Sequence, residues 1–328
     1  MLPTHCHRRF DVATVDDIDA VRDWAMTLAH TRLCDAARER LNTVVTALTS
    51  APERLPTALT LLLRPLDSRG VECLAFDRDP TERVVEHAGF IQSHHTPTVG
   101  NAHLARVWAT DRAPPPSHAL VDAGVVMVPH PNAADCGDGW FFRCDGADHG
   151  VALLVDGQPG RNRRARRIEA VVASTTPGLS AQMVIGAIRR DLAAICTATP
   201  STDGATGAAA VLRLSGHAVD YTALGTVAGG MIRNGAVTSL AARWAMVGYN
   251  PQIPACVHLR WETGDHVILH SDGCSRLPVL FVERGLHRVD PTLAAAILLR
   301  DGAVGEDDQT IVVLRNRSRR QATSCEAA

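Results

Sequence analysis

Lysine is absent from this 328-residue chain, so arginine supplies all 33 basic residues. That bias marks GC-rich coding and carries no functional information. Excess charge of either sign is also missing. The formal net charge of −2 gives no electrostatic case for nucleic acid or a membrane surface as partner. No apolar run approaches the ~20 residues that a membrane-spanning helix needs. The N-terminus, Met1-Leu-Pro-Thr-His-Cys-His-Arg-Arg9, has no apolar core of the signal-peptide kind. The nine cysteines are odd in number and scattered without a Cys-x-x-Cys pair. Neither a disulfide framework nor a zinc site is therefore indicated. His5-Cys6-His7 reads as a frayed terminus. A soluble, cytoplasmic globular chain is the expectation, and its length is comfortable for two domains.

Apolar residues recur at helical spacing over 15–29 and 35–50, and Pro52 stops the second run. Strand patterns follow at 58–64 and 70–76, and short helices are expected over 81–88 and 101–109. Together these predict a small α+β layer. The Pro-rich Arg112-Ala-Pro-Pro-Pro-Ser117 marks a boundary near residue 115. Beyond it the pattern predicts strands at 125–128 and 151–156. A helix entered through the basic run 161–167 extends to Ser174, and another covers 180–196. The runs 208–214, 217–224 and 227–232, separated by Gly-bearing turns, predict an antiparallel meander. Strands at 256–261, 267–271 and 310–314 complete the set. Between the last two lies a helix capped by Asp290 with Pro291 at its first position. The fold class is α+β: an antiparallel sandwich flanked by helices, preceded by a small two-layer unit.

Four acids stand at the edges of apolar runs. Asp265-His-Val-Ile-Leu-His-Ser-Asp-Gly273 delivers Asp272 onto a Gly-assisted turn, where backbone can approach a metal or phosphate. Val151-Ala-Leu-Leu-Val-Asp-Gly157 does the same for Asp156. Asp138 lies in Cys136-Gly-Asp-Gly-Trp140, and Glu306-Asp-Asp308 precedes the apolar Thr310-Ile-Val-Val-Leu314. Spacing alone leaves two readings open. These are turn acids, since Asp-Gly and Asp-Asp are common in turns, or they form a carboxylate-only site for hard divalent cations. Two such ions ~3.5–4 Å apart can clamp a phosphoryl group for attack by water.

The ordered set Gly137-Asp-Gly-Trp140, Val155-Asp-Gly157, His270-Ser-Asp-Gly273 and Asp307-Asp-Gln-Thr310 resembles the metal-dependent type 2C (PPM) Ser/Thr phosphatases. Within these it is most similar to the SpoIIE branch of bacterial regulatory phosphatases, over about residues 120–316. The resemblance implies two antiparallel sheets with helices on both faces, and two Mn²⁺ or Mg²⁺ ions. Asp156 would bridge both ions, with the Gly157 carbonyl on one and Asp272 and Asp307 on the second. Asp138 would bind through water or complete the site, and Asp308 would be a substitute for Asp307. One step departs from the pattern: the branch follows its second motif with a Gly-His-Gly-like step, and this chain has Gln158-Pro-Gly-Arg161.

The front of the chain resembles the histidine-kinase-type (GHKL) ATPase domain of anti-sigma factors. The likeness rests on Phe10-Asp-Val and the helices up to Ser50, on Phe76-Asp77, and on Thr96-Pro-Thr-Val-Gly100. Thr46 and Ser50 stand where that family has Glu and Asn, and Asp77-Arg-Asp-Pro-Thr81 lacks its glycines. A degenerate domain over 1–115 that binds no ATP is expected, then a phosphatase domain over 116–316 and a polar tail over 317–328.

The remaining candidates read mostly as structure. The run 161–167 is a solvated helix face or phosphate-facing patch, since no aromatics interleave its arginines. Cys274 has no adjacent base and is no nucleophile, and Trp140 and Phe141 fill the core under the site. His149 and His270 are either strand-end structural residues or general acids for the leaving oxygen. The expected activity is hydrolysis of phosphoserine or phosphothreonine on a STAS-like anti-sigma-factor antagonist. The alternative is a pseudophosphatase, a binding scaffold in a sigma-factor partner switch. The branch often dimerises, which makes a homodimer the assembly to test.

Overall fold

The computed structural model describes residues 6–49, 59–66, 69–83, 85, 91–110, 121–133, 135–145, 149–158, 162–198, 208–240, 254–304 and 307–317. The first elements are β1 (Arg8–Val12), α1 (Val15–His30), α2 (Asp35–Thr49), β2 (Leu59–Leu66), β3 (Gly70–Phe76), β4 (Ile91–Thr96) and β5 (Gly100–Trp108). Thr14 and Asp17 open α1 with a reciprocal capping box. The strands form an antiparallel front sheet in the order β1-β2-β3-β5-β4. Stripes on α1 (Val21, Ala25, Leu28) and α2 (Leu41, Val45, Leu48) cover one face of it.

The stretch expected as a helix over 101–109 is strand β5. Ala102 and Leu104 face one apolar layer, and Ala105 and Val107 face another. A strand buried on both sides loses its polar alternation, and its apolar residues then mimic helical spacing. Residues 81–83 and 85 are not helical, and the rest of the expected helix 81–88 lies outside the described residues. So does the boundary expected near residue 115.

The chain continues with β6 (Val121–Val128), β7 (Gly139–Cys144), β8 (His149–Asp156), α3 (Arg163–Ser174), α4 (Ala181–Ala198), β9 (Ala208–Ser215) and β10 (Ala218–Leu224). Then come β11 (Ala228–Arg233), β12 (Ala236–Leu240), β13 (Val257–Arg260), β14 (His266–His270), α5 (Leu277–Glu283), α6 (Pro291–Gly302) and β15 (Gln309–Asn316). Two more antiparallel sheets result: an outer one ordered β13-β10-β9-β8-β7 and an inner one ordered β12-β11-β14-β15-β6. The expected meander is therefore split. β9 and β10 pair in the outer sheet, whereas β11 crosses to the inner sheet and pairs with β12 and β14. Gly225 turns the chain at this crossing with φ +91°, which side-chain-bearing residues rarely adopt.

The inner and outer sheets pack face to face through Val125, Leu154, Leu212, Tyr221, Leu269 and Val312. The far side of the outer sheet carries α3 and α4, through Ile168, Val172, Ile185 and Ile188. The far side of the inner sheet carries α5 and α6, and the front sheet packs on α6, its Leu62, Leu74, Phe76 and Leu104 joining the same core. Sandwiched between two sheets, α6 is buried on every side. Asp290 caps it, accepting from the Thr292 amide at 2.8 Å. Arg106 of β5 donates to that carboxylate and to Thr292, and Arg300 donates to the Asn101 carbonyl and the Thr96 hydroxyl. Polar clamps thus fix both ends of α6 to the front sheet.

The terminus is not frayed from Cys6 onward. His7 is fully buried, its amide donates to the Met127 carbonyl at 2.7 Å, and its ring meets Glu72 at 3.3 Å. His5 lies outside the described residues.

Candidate active site

Strand ends gather the acids. The β7–β8 register sets Gly139 opposite Val155, which carries Asp138 to the position facing Asp156 at the end of β8. In the inner sheet His270 pairs with Ile311, so the turn bearing Asp272 meets Asp307 and Asp308 at the start of β15. Both sheets present these ends at one edge of the sandwich. Sequence pattern could place each acid at a strand end; only the pairing shows that the ends coincide.

Close backbone approach shapes the edge. A Cβ on Gly157 would overlap the Gly137 carbonyl, and one on Gly137 would overlap the Gln158 carbonyl. With both glycines, the Gly157 amide reaches Asp138 Oδ1 at 3.1 Å. Asp138 is 3% exposed, yet its Oδ2 is buried without a hydrogen bond of regular geometry, as is the Thr310 hydroxyl nearby.

The acids raise one another's proton affinity. Burial, then the charge of Asp156, holds the Asp138 carboxyl well above the usual carboxylate range. Burial, then Asp272 and Asp307, pushes Asp156 to about 6 against the opposing bond from the Thr226 hydroxyl. Asp272 is raised by burial and by Asp307, and Asp308 by burial and by Asp307. Such a cluster of hard oxygen donors, with one buried oxygen poorly satisfied, fits divalent cations that neutralise it. Among the described residues, no three of these carboxylates bring oxygens within 4.8 Å of one another.

Asp307 and Asp308 face different ways. Asp308 accepts the His130 and Gly137 amides, both at 2.7 Å, so each of its oxygens is bound to backbone. Asp307 bears on Asp156 and Asp272, and its Oδ1 takes the Asp308 amide at 2.7 Å.

The structure adds residues that sequence reasoning missed. Thr226, in the turn between β10 and β11, donates to Asp156 Oδ2 at 2.5 Å. Ser271 Oγ takes the Thr310 amide at 3.0 Å and donates to the Asp308 carbonyl at 3.4 Å, tying the two inner-sheet motifs together. No signal marked Thr226, because the crossover that delivers it was not foreseen.

Other candidates fall away. His149 begins β8, seven residues and roughly 23 Å along the strand from Asp156, so it takes no part at this edge. His270 is buried and donates its Nδ1–H to the Ser271 carbonyl at 3.0 Å, and burial lowers its pKa; it is structural. Burial, then the charges of Asp138 and Asp272, pushes the Cys274 thiol up to about 12. Trp140 and Phe141 pack toward opposite faces of β7. In the basic run, Arg167 pairs with Asp191 on an exposed face.

Glu169 of α3 lies beneath the site, its carboxylate against the Trp140 amide, and burial raises it to about 7. The folded protein then keeps a proton that the unfolded chain has lost, so stability falls as pH rises from about 4.5 to 7. Glu169→Gln should therefore add about 2 kcal/mol at pH 8 and little at pH 4. Urea titration at the two values checks this, and an equal effect at both would remove the burial explanation.

No protein-family model matches the sequence, and no curated protein does. Solved structures do match. The Mycobacterium tuberculosis serine/threonine phosphatase PstP/Ppp aligns over 60% of this chain and 99% of that one, at TM-score 0.51 and 18% identity. The PP2C phosphatase domain of SpoIIE from Bacillus subtilis, with a fragment of its regulatory domain, aligns over 92% of each chain at 0.48 and 16%. The catalytic domain of PstP in complex with 2 manganese ions aligns over 60% of this chain and 99% of that one, at 0.48 and 17%. The chain has the fold of the PPM-type Ser/Thr phosphatases.

Proposed function

We propose that the protein is a metal-dependent phosphatase acting on phosphoserine or phosphothreonine of a regulatory protein. One observation carries this reading: five aspartates from two sheets meet at one edge of the sandwich, with the buried Asp138 Oδ2 making no hydrogen bond of regular geometry. Asp156, Asp272, Asp307 and the Gly157 carbonyl would hold the ions, with Asp138 completing the set. Bound Mn²⁺ or Mg²⁺ would supply an activated water and offset phosphoryl charge. The chain's own groups arrange the rest. Thr226 fixes the rotamer of Asp156. Asp308 holds the Asp138 loop through two amides, which supports a positioning role for it rather than service as a substitute for Asp307.

The order of motifs, similar to the SpoIIE branch, supports a STAS-like anti-sigma-factor antagonist as substrate. The front half, 1–115, is a degenerate ATPase-like domain in this reading. Its strand-end Asp77 is buried, and its Oδ1 is taken by the Asn101 backbone and side-chain amides and the Asp79 amide. That supports a structural rather than nucleotide-binding role.

The full chain should hydrolyse an aryl phosphate and a phosphoserine peptide with Mn²⁺ present and lose that turnover in chelator. Equal rates with and without chelator would sink the proposal. A binding scaffold without turnover is favoured by the carboxylates' failure to close within 4.8 Å. It expects no hydrolysis in either condition and capture of the antagonist that ignores chelator.

A further inference from the structure

A second cluster of side chains of metal-ligand type lies at the β13 edge of the outer sheet. The β10–β13 register sets Asp220 opposite His258. Cys256, two residues earlier, falls on the same face as His258 because side chains alternate along a strand. The Cys256 sulfur, a His258 ring nitrogen and an Asp220 carboxylate oxygen all lie within 4.8 Å of one another. His258 Nδ1 is 2.7 Å from Asp220 Oδ1. Among the described residues this is the one group of three such ligands drawn so close.

The surroundings suit a cation. Arg213 faces Asp220 across the ladder, but Asp145 holds it at 2.7 Å. Arg260 is paired with Glu262 at 2.8 Å. Cys256 and Asp220 are half-buried and His258 is exposed, so the place can be filled from solvent.

Ligand chemistry separates this cluster from the aspartates. Oxygen-only donors suit Mn²⁺ and Mg²⁺, whereas thiolate, imidazole and carboxylate together suit zinc in tetrahedral geometry. We propose that Asp220, Cys256 and His258 form a zinc site whose fourth position is open to solvent. No Cys-x-x-Cys pair announces it, because a Cys-x-His pair is completed across the sheet by a residue 36 positions upstream. The ion would pin β13, a four-residue edge strand, to β10. Edge strands of that length have few ladder bonds of their own.

The test is Co²⁺ added to the metal-free full chain, read by the thiolate-to-cobalt charge-transfer absorption. One Co²⁺ per chain should give the band, and Zn²⁺ should displace it. The band should disappear in Cys256→Ser and in His258→Ala, and persist in Asp156→Asn and in excess Mg²⁺. His258 is exposed, so its loss leaves the fold intact, which a melting curve verifies. Absence of the band from the parent protein, or its survival in Cys256→Ser, would overturn the proposal.

Discussion

Asp156→Asn should lower kcat by roughly 10²–10³-fold while leaving the metal-free protein at least as stable as its parent. The two effects share one cause. Asp156 lies among other acids at the meeting of both sheets, where burial and its neighbours lift its pKa to about 6. In the proposed mechanism its charge would help to hold the cations. Without cations, that charge is unfavourable at any pH above about 6, because the unfolded chain ionises the same group at 3.8. The amide keeps the shape and can still accept the Thr226 bond, so in chelator at pH 8 it should add about 2 kcal/mol. Steady-state kinetics with Mn²⁺ and urea titration with chelator measure the two arms. Retained turnover would remove Asp156 from the mechanism, and lost metal-free stability would make its role structural.

Glu72→Gln should cost about 3–5 kcal/mol of stability and lower the melting temperature by roughly 10 °C. Glu72 is fully buried, with Arg64 at 2.6 Å, Arg106 at 2.7 Å and His7 at 3.3 Å. Its carboxyl stays well below the usual range because those arginines outweigh its own desolvation. A neutral amide keeps the volume and strips the countercharge from guanidinium groups that cannot shed a proton. Scanning calorimetry reads the loss, and a change below 1 kcal/mol would mean water reaches the cluster. Acid should act on the same place. The Met127 amide donates to His7 Nδ1, so the ring is neutral and its Nε2–H points at Glu72. Burial, then Arg64, lowers His7 to about 4, so its contribution is complete above 6.5 and is lost as pH falls toward 4.

Local chemistry made some elements legible in the sequence and not others. Asp290 and Pro291 announced α6 because capping is a property of adjacent residues. The aspartates could be placed at strand ends because Gly follows three of them and apolar runs flank all of them. β5 was misread because contacts on both faces erased the alternation that identifies a strand. The crossing of β11 to the inner sheet was hidden for another reason: a turn reads alike whether its strands pair or part. Thr226, the two amides on Asp308 and the Asp220–Cys256–His258 group all depend on register between distant strands. No local pattern carries register.

α6 is lined on both sides by sheets that belong to opposite halves of the sequence. The front half is accordingly no detachable cassette. Cutting the chain at residue 120 would strip Leu62, Leu74, Phe76 and Leu104 from the core they join and leave a broad greasy surface facing water. It would also delete Arg106, the partner of the Asp290 cap. Expressed alone, the half beyond residue 120 should then aggregate, which light scattering of the truncated chain checks. The front sheet, α6 and the inner sheet that leads to Asp272, Asp307 and Asp308 share a single packed core.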